Sequence, residues 1–400
     1  MNKQKYTMKD KAFWNIVIGL GTSAFFIFGT MYSMQPILPI LTKNYDITIS
    51  FASLSMSLTT VGLIIGLIVI GFLSDLKGRT FFIHFSIIST ACLLFIIPMM
   101  NSFLLIIFFR LLQGFTLAGV LGAALAYMTE EIDQKHVGFA ATLYIACNSL
   151  GGMIGRFITG FLAEAISWQI ALYILGAFGL LTFVFVFLTL PKSMHFERST
   201  GNFTEEMKGF LVHFKNPTLL LMFGLGIVLQ VSFTGMWTFL PFHLLDAPYE
   251  LSLQQISYFY FAYSLGVVGA PIAGLFASKY RLSTIRITGI VFLVLGLLIT
   301  LGKSLFAIII GLCIICLGFF VSHSIATATV SQEAQHHKGS ASSIYLVAYY
   351  IGVSTGTTLL VPLWEKFGWH GIVLFTTILP ITYVIIVKLT QFQMNKVTSH

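Results

Sequence analysis

The chain has 400 residues, of which 57% are hydrophobic and only 9% charged, with a mean hydropathy of +0.91. Soluble domains carry roughly 25% charged residues, so a surface that faces mainly water is excluded. The formal charge of +8 does not mark a nucleic-acid partner, because the cations lie in short segments between apolar runs.

A hydrocarbon core of about 30 Å needs about 20 apolar helical residues. Such runs occur near 13–40, 51–74, 80–100, 103–128, 137–163 and 169–190. A polar segment, 191–216, follows and holds Pro191, Lys192, Glu197, Arg198, Glu205, Glu206, Lys208 and Lys215. Further runs lie near 217–245, 252–277, 283–302, 304–330, 340–363 and 370–389. The expected fold is an all-α membrane protein of twelve transmembrane helices in two pseudo-symmetric six-helix bundles. Residues 1–190 form the first half, 191–216 a cytoplasmic linker and 217–400 the second half. The first run is too long for a signal-peptide core, so it reads as retained.

Lysine and arginine set the orientation. With a cytoplasmic N-terminus, seventeen fall in inside segments, among them Lys3, Lys77, Arg79, Lys135, Lys215, Lys279, Arg286 and Lys338. Only Lys43, Lys303 and Lys366 fall outside. Both termini are therefore expected in the cytoplasm of a cell whose inner or plasma membrane holds the chain. Cys92, Cys147, Cys313 and Cys316 sit within apolar runs and read as packing, not as a disulfide framework or a metal site.

An internal repeat joins the halves. Gly138-Phe139-Ala140-Ala141-Thr142-Leu143-Tyr144 recurs as Gly339-Ser340-Ala341-Ser342-Ser343-Ile344-Tyr345, an offset of 201. The same offset relates Gly151 to Gly352, Gly155 to Gly356, Glu164 to Glu365 and Trp168 to Trp369. A parallel repeat of this kind places a substrate site between the halves near mid-membrane.

Between spans two and three stands Gly71-Phe72-Leu73-Ser74-Asp75-Leu76-Lys77-Gly78-Arg79, which fits G-x-L-x-D-x-x-G-R. Span four carries Arg110-Leu111-Leu112-Gln113-Gly114, and span one ends Gln35-Pro36-Ile37-Leu38-Pro39. Across nearly its whole length the chain resembles the major facilitator superfamily, specifically its twelve-helix drug:proton antiporter branch. The resemblance implies that Gly71 permits close helix approach while Asp75, Gly78 and Arg79 latch the halves at the cytoplasmic side. It also ties Arg110 to proton or substrate handling and implies a monomer working by proton-coupled alternating access.

Span five departs from that branch. Where G-x-x-x-G-P is usual, this chain reads Gly151-Gly152-Met153-Ile154-Gly155-Arg156, similar to a subset of bacterial exporters with arginine there. Arg110 and Arg156 each lie roughly eight residues, about 12 Å, from the outer end of their spans. An arginine so deep should face a cavity or a partner. No Asp or Glu occupies the middle of any run, Glu164 and Glu365 being at outer ends and Asp75, Glu130, Glu131 and Glu333 near inner ones. A carboxylate-bearing substrate on at least one arginine answers this; alternatively Arg156 holds water or reaches Glu164.

Further polar candidates for substrate binding are Gln35, Gln113, Asn148, Gln230, Thr234, His323 and Thr327, with Trp237 and Phe233 as apolar walls. His323, whose imidazole changes charge near neutral pH, is with Arg110 a proton-coupling candidate. His84 reads as packing, and His136, His336 and His337 as solvated turn residues.

The sequence has no phosphate-binding loop, no H-E-x-x-H and no nucleophile elbow on a soluble domain. No enzymatic activity, cofactor, protein-bound metal or nucleic-acid partner is therefore expected. The partners expected are a small-molecule substrate, protons and the lipid bilayer. Three transport activities fit: export of a small carboxylate-bearing solute such as an opine-type metallophore, broad multidrug efflux, and proton-coupled uptake of an organic solute. Multidrug efflux of lipophilic cations calls for an acidic cavity group, where this sequence places two arginines.

Overall fold

A computed structural model describes residues 5–196, 198, 211–277, 279–334 and 338–398. Lys3, Glu197, Glu205, Glu206, Lys208, His336, His337 and much of the expected linker lie outside the described residues. Eleven helices among the described residues are long and apolar enough to cross a membrane. The fold is thus all-α and multi-pass, in which each helix satisfies its own backbone groups as lipid requires. The chain falls into two compact units, residues 1–201 with 251–261, and residues 202–250 with 262–400.

The first unit begins with a short pairing of Tyr6 and Ile132. The Tyr6 N–H donates to the Glu131 carbonyl at 2.9 Å, and the Asp133 N–H donates to the Tyr6 carbonyl at 2.9 Å. The Thr7 N–H and hydroxyl donate to Asp10, which holds that carboxyl below the usual carboxylate range. Helix α1 (Lys11–Tyr32) follows, then a 3₁₀ turn (Gln35–Ile37) and α2 (Leu38–Tyr45). Pro36 and Pro39 cause this break, because each lacks an N–H and its ring crowds the preceding turn. Helices α3 (Ile49–Lys77) and α4 (Arg79–Ile96) meet at Gly78, whose φ of 106° suits a residue without Cβ. They are followed by α5 (Phe103–Glu131), α6 (Gln134–Ala165) and α7 (Trp168–Thr189). Side chains of Thr48, Asp133 and Ser167 accept from N–H groups in the first turns of α3, α6 and α7. Such a cap is worth about 1 kcal/mol.

Helix α6 lies against α1 so closely that a Cβ on Gly155 would collide with the backbone of Gly29. On another side α6 meets α9 (Leu253–Ser257), a short helix whose Ser252 and Gln255 form a capping box. The Phe157 ring packs 5.5 Å from Tyr258 and 4.9 Å from Phe261. At the outside of the unit, Leu181 is 70% and Leu188 75% exposed. Water would penalise these side chains; lipid does not.

The second unit opens with α8 (Pro217–Leu245), where Asn216 accepts from the Thr218 and Leu219 N–H groups and Pro217 sits at the position that needs no N–H. Then come α10 (Tyr263–Ala277), α11 (Leu282–Ile299), α12 (Leu305–Glu333), α13 (Lys338–Thr358) and α14 (Val361–Thr398). Ala273, Ile285, Val321 and Ile325 join α10, α11 and α12 in one apolar cluster.

The structure differs from the sequence expectations at four places. The run at 252–277 is divided into α9, a 3₁₀ segment (Tyr258–Ala262) and α10. Helix α13 is not among the eleven strongly apolar helices, since Ser, Thr, Tyr and Gly punctuate it. The run at 370–389 belongs to the longer α14, which bends at Gly368 (φ 56°, ψ −143°). Arg286, placed by charge counting in an inside segment, lies within α11 and is only 7% exposed.

Candidate functional site

Arg156 is 3% exposed on α6, yet it does not sit in an apolar environment. Its Nε donates to Gln35 Oε1 at 2.6 Å, and its Nη1 to the Gly152 carbonyl one turn back at 2.7 Å. The guanidinium carbon lies 3.9 Å from the centre of the Tyr32 ring and 5.9 Å from that of Tyr260. Those four partners are neutral, and ring faces attract a cation without cancelling its charge. Three local features build this arrangement. Gly151 and Gly155 admit the α1 backbone, and the proline break turns Gln35 back toward α6. Gly152 leaves room for the guanidinium, since a Cβ there would lie 3.3 Å from Nη1. Glu164, the alternative partner expected two turns away, instead accepts from the Gln254 N–H at 3.0 Å. Its carboxylate thereby meets the positive end of α9.

Arg110 has a different environment. It is fully buried, with Nε donating to the Ser55 carbonyl at 3.2 Å, Nη2 to the Met31 carbonyl at 3.0 Å and Nη1 to the Thr30 carbonyl at 3.4 Å. Nη1 also donates to Gln113 Oε1, while Gln113 Nε2 donates to the Thr90 carbonyl at 3.4 Å. The carbonyls of Thr30 and Met31 belong to the last turn of α1, where helical partners run out and the dipole is negative. The proline break therefore creates the acceptors that Arg110 uses. Arg110 and Gln113, expected to meet substrate, here bond α1, α3 and α4 to α5.

The Asp75 and Arg79 pair is formed, with Arg79 also donating through Nε to Glu130 Oε1 at 3.0 Å and through Nη1 to Ser74 Oγ at 2.9 Å. All these groups lie in the first unit. A Cβ on Gly71 would itself meet nothing within 4 Å, although a Cβ on Gly122 of α5 would lie 3.7 Å from the Gly71 Cα. Tight contact along α3 occurs instead at Gly62, against α5. Beside this cluster Glu131 is fully buried and accepts from the Ser193 hydroxyl and from the N–H groups of Met194 (2.6 Å) and His195 (2.9 Å). It also pairs with His195 Nδ1 at 3.0 Å. Sequence reasoning missed this role for Glu131. The signal was two consecutive acids at a helix C-terminus, where the dipole disfavours them and donors must compensate.

In the second unit His323 is partly exposed, and its Nδ1 lies 2.9 Å from the Tyr345 hydroxyl. The imidazole is parallel to Phe319 at 5.7 Å and tilted against Tyr349 at 4.9 Å. Phe319 stacks on Phe233 at 3.9 Å, and Trp237, fully buried, packs 4.7 Å from Tyr263. Trp237 and His323 thus border one aromatic cluster that also holds Phe233, the residue expected with Trp237 as an apolar wall. Gln230 and Thr234 are buried in α8, with Gln230 Oε1 lacking a hydrogen-bond partner among the described residues. Asn148 stands two turns before Arg156 on α6, and its Oδ1 likewise lacks one. Tyr32, Tyr260 and Tyr345 were missed because their roles depend on contacts between distant spans.

Residues 20–357 match the family model described as Major Facilitator Superfamily. An uncharacterized transporter of Buchnera aphidicola subsp. Schizaphis graminum is 36% identical over 384 residues, covering 96% of this chain and 92% of its own length. The inner membrane transport protein YnfM of Escherichia coli K12 is 32% identical over 367 residues, covering 92% of this chain and 88% of its own. The crystal structure of the nucleoside transporter NupG superposes with a TM-score of 0.75 at 16% identity, covering 94% of this chain and 98% of that one. The chain belongs to the Major Facilitator Superfamily and is a secondary transporter of small solutes, not an enzyme.

Proposed function

We propose that this transporter exports a small carboxylate-bearing solute, for example an opine-type metallophore, by proton-coupled alternating access. The observation that carries this reading is Arg156: a permanent cation inside a membrane-spanning helix, 3% exposed, with Gln35, Gly152 and Tyr32 as neutral neighbours. A carboxylate bound there gains charge-assisted bonds to a planar fork already oriented by Gln35. Asn148 offers a further polar contact on the same helix, and His323 is the group that takes up the proton. The reading includes the drug:proton antiporter branch, the arginine-bearing subset within it and a twelfth spanning helix at α13. It also includes two six-helix bundles, cytoplasmic termini, a monomer and Asp75 with Arg79 as part of the gating apparatus. The name of the YnfM relative supports placement in an inner membrane.

The aromatic cluster around Phe233, Trp237 and Phe319 favours a second reading, efflux of lipophilic compounds. The two readings separate in one experiment. Metabolites retained by cells with and without the gene are compared, and the same comparison is made for Arg156→Ala at equal membrane abundance. Loss of a buried charge pair costs about 2–5 kcal/mol, so export of an acidic metabolite should fall at least tenfold. Undiminished export by Arg156→Ala, or a pool of retained solutes that are all cationic, would overturn the carboxylate assignment.

A further inference from the structure

Three arginines are buried in this chain, and one of them has almost no acceptors. Arg110 is surrounded by three carbonyls and an amide oxygen, and Arg156 by an amide, a carbonyl and ring faces. Arg286 on α11 is 7% exposed, and only its Nη1 has contacts: Met222 Sδ at 3.3 Å and Thr329 Oγ1 at 3.4 Å. A thioether is a weak acceptor, and the threonine hydroxyl, which donates its proton to the Ile325 carbonyl, accepts from Arg286 only at the long distance of 3.4 Å. Among the described residues the guanidinium has no carboxylate within ion-pair distance and no backbone carbonyl. A guanidinium carries five N–H donors. Leaving most of them dry is strongly unfavourable unless an anion or water completes the site.

The polar side chains around it among the described residues are neutral hydroxyls, not carboxylates. Tyr345 and Tyr383 both lie near enough to interact electrostatically with the Arg286 charge. The Tyr383 hydroxyl donates to the Leu221 carbonyl at 2.8 Å, next to Met222, and the Tyr345 hydroxyl meets His323. The Ser322 hydroxyl donates to the Arg286 carbonyl at 3.1 Å, which fixes that turn of α11 against α12. Five helices of the second unit, α8, α11, α12, α13 and α14, thus converge on one cation. It lies about 6 Å along α11 from its first residue, within reach of the membrane surface.

We infer that the Arg286 guanidinium forms an oxyanion-binding site inside the second unit, separate from the Arg156 site and independent of the function proposed for it. The shared ligand chemistry is a carboxylate or phosphate oxygen. Its source is either a solute in water or the headgroup of an anionic lipid.

The full chain is purified, placed in phosphatidylcholine nanodiscs, and its thermal unfolding followed with sodium succinate or sodium phosphate against sodium chloride at equal ionic strength. Ligand binding to the folded state raises the midpoint. Wild type should gain several degrees from at least one anion, Arg286→Gln should lose that gain, and Arg156→Gln should retain a gain that depends on Arg286. A parallel series without soluble anion compares phosphatidylcholine with phosphatidylcholine containing phosphatidylglycerol. A gain confined to that series and lost in Arg286→Gln identifies the lipid headgroup as the ligand. If Arg286→Gln does not yield folded protein, Arg286→Lys serves instead: it keeps the charge but not the fork, so a diminished gain supports the site and an undiminished one overturns it. The inference also fails if Arg286→Gln responds like wild type in both series. A gain lost only in Arg156→Gln would remove this site and leave the carboxylate reading of Arg156 standing.

Discussion

Arg110 and Arg156 look alike in the sequence, at matched depth in adjacent spans, but their neighbours give them different roles. Arg110, fully buried, donates to the Thr30 and Met31 carbonyls where α1 breaks. Replacing it with alanine takes the Arg110 donor from the Met31 carbonyl, while Thr30 keeps the Ser33 N–H and hydroxyl, and removes the junction of α1, α3 and α5. The expected cost is about 3–5 kcal/mol, read as a large fall in thermal midpoint and yield. Arg156→Ala, by contrast, should change unfolding little while removing transport. An Arg110→Ala protein as stable as wild type would show that the carbonyls find other donors. The depth of both arginines was legible in the sequence, and so was the absence of acids in the middle of the spans. Which arginine received the carbonyls was not legible, because that depends on where Pro36 interrupts a different helix.

At the scale of elements, breaks with a local chemical cause were readable and the others were not. Pro36 and Pro39 announce the end of α1, and Asn216-Pro217 announces the start of α8. The division between α9 and α10 falls in Tyr258–Ala262, an apolar aromatic stretch with no proline, where tertiary packing against α6 decides. The burial of Arg286 was not readable for a related reason, since a charge near a boundary reads as loop unless its burial is known. The Glu131 carboxylate holds the chain after α7, through Met194 and His195, to the end of α5. Glu131→Ala should free those amides, and hydrogen exchange at residues 193–195 should accelerate by about tenfold or more while the α5 interior is unchanged. Equal protection in the variant would mean that the Tyr127 hydroxyl, which donates to the Pro191 carbonyl at 2.6 Å, suffices alone.

Across the whole molecule an internal repeat is legible because several identities share one offset. The two copies have since diverged in their chemistry. The position of Arg156 in the first copy is Thr357 in the second, buried and donating to the Ser354 carbonyl at 2.9 Å. Tyr144 has no hydrogen-bond partner for its hydroxyl among the described residues, while its counterpart Tyr345 meets His323. In the proposed function, solute binding falls to the copy with the permanent charge and proton handling to the copy with the titratable ring. His323→Gln should therefore weaken the dependence of flux on an imposed pH gradient more than it weakens solute binding. Measured in proteoliposomes, an unchanged gradient dependence would exclude His323 as the proton carrier.

The contact of Gly29 with Gly155 has a kinetic meaning as well. Main chain rests on main chain there, with no side chains between to act as bearings. Helices locked in this way neither roll nor slide past one another without unpacking, so α1 and α6 must move as a single rod. In the proposed cycle, the opening and closing around Arg156 then falls to other helices.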